Sequence, residues 1–163
     1  MKLKTILLIM IILLIIGLVL WLIQIPVLLL EHRETKTMVQ AFRISSGDEF
    51  TIKWMHSVEL QPWEEVFRID EGYGLVLDRT RFKSFGAGVP NDAGNKSEIK
   101  DGWVIFSGIN KKMAEVTYGI SDYGKHVFWY RDFHLKLYEI IPDGDGLNIK
   151  TSKLPLFSYI FCN

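Results

Sequence analysis

The chain of 163 residues is 48% hydrophobic and 13% aromatic, enough for one compact domain with its own core. Its 19 Lys and Arg balance 19 Asp and Glu, and with Lys2 and Lys4 set aside the remainder stands at about −2, which argues against nucleic acid as a partner because phosphate binding needs clustered positive charge. The single cysteine, Cys162, can close no internal disulfide, which excludes disulfide scaffolds, zinc ribbons and CxxC redox chemistry.

From Ile6 to Ile23 the chain has no charge and no hydrogen-bonding group other than the indole of Trp21. Such a run suffices to cross a hydrocarbon core of about 30 Å at about 1.5 Å per residue. Pro26 marks the expected end or kink of the helix. A cleaved signal peptide would show a shorter apolar core and a small-residue cleavage site, and neither is present. Residues 1–30 therefore read as an uncleaved membrane anchor, 31–37 as a polar stalk and 38–163 as the domain. Lys2 and Lys4 ahead of the span, against Arg33 and Lys36 offset by Glu31 and Glu34 behind it, predict a single pass with a cytoplasmic N-terminus and an extracytoplasmic domain.

Beyond the stalk, Met38–Ile44 alternates as an edge strand, and Ser45 to Asp48 form a turn cluster. Phe50–His56 places Phe50, Ile52, Trp54 and His56 on one face. Trp63–Asp70 and Leu75–Phe85 flank the turn Glu71-Gly72-Tyr73-Gly74. A four-residue hairpin there sets Trp63 opposite Phe82, Glu64 opposite Arg81, Glu65 opposite Thr80 and Phe67 opposite Asp78. Glu65 and Asp78 are then out of place on a core-like face, and Arg79, Arg81 and Lys83 line the other. Asn91 to Gly102 is too polar for a core. Further strands are predicted at Trp103–Ser107, Ala114–Ile120, His126–Tyr130, Leu135–Ile141 and Leu147–Thr151, separated by turn signals that include Gly108-Ile109-Asn110. No segment after residue 30 shows helical periodicity, so the expected fold is all-β, an antiparallel sandwich or small barrel of about nine strands. The apolar ending from Leu154 either adds an edge strand or packs over an open end.

Polar groups concentrate between His56 and Pro90. A Ser-His-acid hydrolase built on Ser57 and His56 with Glu59, Glu64 or Glu65 needs a serine on a sharp exposed turn, and adjacent strand residues point to opposite faces. A metal site from His56, Glu65 and His126 or His134 suits zinc or manganese chemistry but lacks HxH or HExxH spacing. The structural reading is a buried His56 whose ring bonds to Glu65 or a loop carbonyl and pins the break at Val58 to Pro62. Gly86-Ala87-Gly88 opens no helix and so is not a phosphate loop. Its glycines suit positive φ or close backbone approach. Asp143-Gly144-Asp145-Gly146 has a calcium-loop look but lacks the later glutamate and flanking helices, and reads as a turn.

His56-Ser57-Val58-Glu59, Pro62, Glu65, Phe67, Arg81-Phe82, Ser84-Phe85 and Gly86-Ala87-Gly88-Val89-Pro90 together resemble the core of a bacterial family catalogued as domain of unknown function 1850. Trp63 stands where a small aliphatic residue is expected. The resemblance implies a membrane-anchored accessory protein of a tripartite, ATP-independent (TAXI-type) solute transporter, with the membrane and the transporter's membrane subunit or solute receptor as partners. It implies no catalytic residues and no cofactor. The candidate functional cluster is His56, Ser57, Glu59, Glu65, Arg81, Gly86, Gly88 and Pro90. The alternative function is a small-molecule or metal-binding domain, or a hydrolase, at His56 and the Gly86 to Pro90 loop.

Overall fold

The computed structural model describes residues 2–83 and 94–161. An apolar helix, α1 (Lys2–Leu22), precedes eleven strands: β1 (Gln24–His32), β2 (Met38–Arg43), β3 (Glu49–Met55), β4 (Pro62–Ile69), β5 (Leu75–Phe82), β6 (Lys96–Lys100), β7 (Trp103–Met113), β8 (Glu115–Gly119), β9 (Val127–Tyr130), β10 (Phe133–Lys136) and β11 (Gly146–Pro155). A 3-10 turn, Leu137–Glu139, follows β10, and the short helix α2 (Leu156–Phe161) follows β11. Two antiparallel sheets result, ordered β2-β1-β11-β8 and β10-β9-β3-β4-β5-β7-β6. The all-β expectation holds, with more strands than predicted.

The domain begins at Gln24, not at Met38. Residues 24–32, assigned from hydropathy to the anchor and the stalk, form the strand between β2 and β11. Leu28 and Leu30 point into the main core with Phe50, Ile52, Phe67 and Phe128, whereas Ile25, Val27 and Leu29 form a second cluster with Ala41, Leu154, Leu156 and Tyr159. A strand buried on both faces has no period-two alternation, so in hydropathy it merges with the helix before it. Pro26 lies within this strand opposite Lys153, beyond the end of the helix. The expected edge position of β2 is observed.

The β4–β5 hairpin carries the predicted register at Trp63–Phe82, Glu64–Arg81 and Glu65–Thr80. It departs at Phe67, which pairs with Leu77 because a bulge leaves Asp78 outside the ladder. Across from Asp78, β7 continues through Gly108-Ile109-Asn110, where Gly108 (φ 67) and Asn110 (φ 52) take left-handed backbone. A signal read as a turn is therefore a bulge inside one long strand. Leu135–Ile141 is also revised, since β10 ends at Lys136 and the chain coils into the 3-10 turn with Leu137 fully buried. At the far end, Leu154 and Pro155 complete β11 and a helix follows, where a strand or a plug was expected.

Asp48 ties the β2–β3 turn to β9: its Oδ2 accepts from Ser45 N (2.7 Å), the Tyr130 hydroxyl (2.7 Å) and Arg131 Nη2 (2.9 Å). Burial pushes its pKa up, but the Tyr130 hydroxyl, the Ser45 N–H and the Arg131 guanidinium together hold it below the ordinary aspartate value.

Candidate functional site

β3 ends at Met55, so His56 sits beyond the strand at the head of a tight turn. Its N–H donates to Gln61 O (2.9 Å), its carbonyl accepts from Leu60 N (3.0 Å), and its Nδ1 accepts from Glu59 N (3.2 Å). The imidazole thus pins the Val58 to Pro62 break, by accepting a loop N–H. It makes no bond to Glu65, and it is half-buried. Ser57 is exposed, and among the described residues no hydrogen bond joins it to His56. Those positions do not form a nucleophile and its base.

Glu65 lies on the inner face of β4 between Trp63 and Phe67, where Tyr118 of β8 donates its hydroxyl to Glu65 Oε2 (2.5 Å). Burial pushes the Glu65 pKa up despite that bond and the nearby Lys111, and the same burial and carboxylate push the Tyr118 phenol well up. Glu65, Lys111 and Tyr118 line a cleft of about 350 Å³.

A second cleft, of about 420 Å³, opens between the end of β3 and the β8–β9 loop, lined by Trp54, His56, Ser57, Trp63, Gly119, Ser121, Tyr123 and His126 among others. Among the described residues no Asp, Glu, Lys or Arg lines it. Four rings form a ladder along it: His56 on Trp63 (5.4 Å, 22°), Trp63 on Trp54 (5.6 Å, 19°) and Trp54 on His126 (6.0 Å, 9°). The Trp63 indole N–H donates to Thr80 Oγ1 (2.9 Å), which donates to Glu64 O (3.2 Å) and so fixes the second ring from beneath. His126 is only 6% exposed, and its Nδ1 has no partner among the described residues. Burial lowers its pKa to about 4, so the ring is neutral at physiological pH. Gly124 makes this packing possible, because a Cβ there would lie 2.6 Å from His126 Cε1. The loop is stitched to β3 by Met55 N donating to Gly124 O (2.7 Å).

Arg81 belongs to a different face. Lys53, Glu64 and Arg81 stand side by side on β3, β4 and β5, and the buried Glu64 carboxylate accepts from Arg81 Nε (2.6 Å) and pairs with Lys53 Nζ (3.2 Å). The Arg81 guanidinium lies 4.5 Å from the Trp103 ring centre, with the Lys83 ammonium at 5.2 Å. This row on the outer face, Arg79 and Glu49 included, follows the predicted pattern.

The eight candidate residues therefore divide. His56 and Ser57 line the aromatic cleft, Glu65 the neighbouring one and Arg81 the outer face, while Glu59 serves the His56 turn. Gly86, Gly88 and Pro90 lie outside the described residues. The proposed ligand set of His56, Glu65 and His126 or His134 is not assembled, since Glu65 is taken by Tyr118 and His134 stacks on Trp129 (5.2 Å). Among the described residues one trio of possible ligands lies close together, His32, Glu34 and Asp145. There His32 contacts both carboxylates (3.5 and 3.2 Å) and accepts from Thr35 N (3.3 Å), a network that closes the β1–β2 turn against β11. The sequence reading missed Trp54, Tyr118 and Gly124 as cleft-builders, although the apolar-polar alternation of β3 had already placed Trp54 inward.

No curated protein and no solved structure matches the chain. Residues 50–137, which hold β3 through β10 and both clefts, match the family described as domain of unknown function (DUF1850), and the chain belongs to that family.

Proposed function

We propose that this protein is a membrane-tethered, extracytoplasmic, non-catalytic module that serves a tripartite, ATP-independent (TAXI-type) solute transporter. The observation that carries the reading is the join between helix and domain. Only Ile23 separates α1 from β1, and its carbonyl accepts from Leu156 N (2.8 Å). α1 is apolar and exposed along its length, long enough to cross a bilayer. A domain so attached is held against the membrane without a flexible stalk, which suits a part that touches a transporter's membrane subunit or holds its solute receptor nearby. The test is co-purification in mild detergent from membranes that contain the intact transporter. The expected result is joint recovery with the membrane subunit or receptor, and recovery of this protein alone would refute the reading.

The alternative, a small-molecule site, is favoured by one specific observation, the Nδ1 of His126, unpartnered among the described residues, beside the Trp54 ring in an aromatic-lined cleft. Native mass spectrometry of the purified chain tests it. A bound organic species lost in Trp54→Ala supports this reading, and an adduct-free wild type argues against it.

A further inference from the structure

We propose that α2 is a membrane-interface collar, a short apolar helix that packs one face on β1 and dips the other into the acyl boundary beside the exit of α1. The proposal rests on the reading of α1 as a membrane span. α2 reads Leu156-Phe157-Ser158-Tyr159-Ile160-Phe161. Leu156 and Tyr159 pack inward on the Ile25, Val27 and Leu29 cluster, the outer face of β1. Phe157, Ile160 and Phe161, at i, i+3 and i+4, share the opposite face and are 42%, 51% and 69% exposed. The Phe157 and Phe161 rings touch (centroids 4.7 Å apart), so the face is one continuous apolar surface.

What covers that surface follows from where it stands. α2 contacts α1, and its first N–H is bonded to the residue that follows α1. A helix of this length spans about 9 Å at about 1.5 Å per residue, so each outward side chain lies within about 10 Å of the end of the span. That is comparable with the depth of about 5–10 Å to which interfacial helices bury their apolar faces. Trp21, 57% exposed near the same end of α1, is the residue type that favours this layer. Two large aromatic residues and an isoleucine left in water would each carry an unfavourable transfer free energy, which the acyl boundary removes. The occupant is therefore lipid. With β1 locked beneath it, α2 would fix the tilt of the whole sandwich relative to the bilayer.

The test uses the full chain reconstituted in phosphatidylcholine vesicles, with Cys162→Ser as background and a nitroxide on Phe161→Cys in one sample and Leu14→Cys in another. Collision with dissolved oxygen, which partitions into lipid, is compared with collision with a water-soluble nickel chelate. The expected result is that both labels favour oxygen several-fold, Leu14→Cys more strongly. A lipid signal at Leu14→Cys with a water-like signal at Phe161→Cys would overturn the collar and leave the span intact. Shielding of Phe161→Cys from both reagents would show a protein contact, a second copy included, and would also overturn it. A water-like Leu14→Cys would bring down the span and the collar together.

Discussion

Glu64 is a single buried carboxylate paired on both sides, with Arg81 and Lys53 flanking it across three strands. Removing one partner of such a group costs more than the pair contributes, because the charge left behind remains poorly solvated. Arg81→Ala is expected to destabilise a soluble form beginning at Gln24 by about 2–3 kcal/mol in urea unfolding, and Glu64→Gln in that background should recover about 1 kcal/mol or more. Additive losses in the double variant would refute the coupling. His126 and Glu65 make opposing contributions to the pH profile. The folded pKa of His126, about 4, lies below its ordinary value of 6.5, so between these pH values the unfolded chain binds more protons and stability is lost as pH falls. The folded pKa of Glu65 is raised, so as pH climbs through 4.5 the unfolded state ionises first and stability falls. In the wild type the two contributions therefore oppose one another as pH rises from 4.5 towards 6.5. Glu65→Gln, which still accepts from Tyr118, should make stability climb with pH across that window. His126→Phe, which keeps a ring on Trp54 and leaves no orphan nitrogen, should make it fall. Parallel profiles for the two variants would contradict both assignments.

At the level of elements, β1 decides whether the domain folds. It lies between β2 and β11 and supplies Leu28 and Leu30 to one core and Ile25, Val27 and Leu29 to another. A chain starting at Gln24 is expected to give a sharp two-state urea transition, and one starting at Met38, the boundary that hydropathy suggests, is expected to be insoluble or to lack a cooperative transition. A cooperative transition in the shorter chain would show that β1 is dispensable. The same strand marks what the sequence discloses and what it hides. Glu64 opposite Arg81 agrees with the count of a four-residue turn, but the loop observed is one residue longer, with Ile69 opposite Leu75 and Asp70 Oδ1 accepting from Gly72 N (2.9 Å) and Gly74 N (2.7 Å), and the bulge at Asp78 restores the expected pairing. Phe67 opposite Leu77 was not legible, because the bulge that sets Asp78 aside depends on a third strand, β7. β1 was hidden by burial on both faces, and α2 by a length too short to show a period. The cleft was half visible: Trp54 and His56 follow from strand alternation, but the burial of His126 depends on how closely Gly124 approaches it.

For the molecule as a whole, the proposed membrane span raises the matter of which side the sandwich occupies, and the charges near α1 bear on it unevenly. Lys2 and Lys4 precede the apolar run without an acidic residue beside them. On the other side the first basic residues, Arg33 and Lys36, stand farther from the apolar run than Lys4 does. Positive residues bias orientation when they flank a span closely, and acidic residues contribute little. Alkaline phosphatase fused after Asn163, which is active only when exported, is therefore expected to show full activity in the native sequence. Lys2→Glu with Lys4→Glu should lower that activity severalfold. Glu31→Gln, which changes no basic residue near the span, should leave export of the fusion unchanged. An inactive native fusion with sound expression would place the domain in the cytoplasm, and the aromatic cleft and the α2 collar would then face the inner leaflet's side.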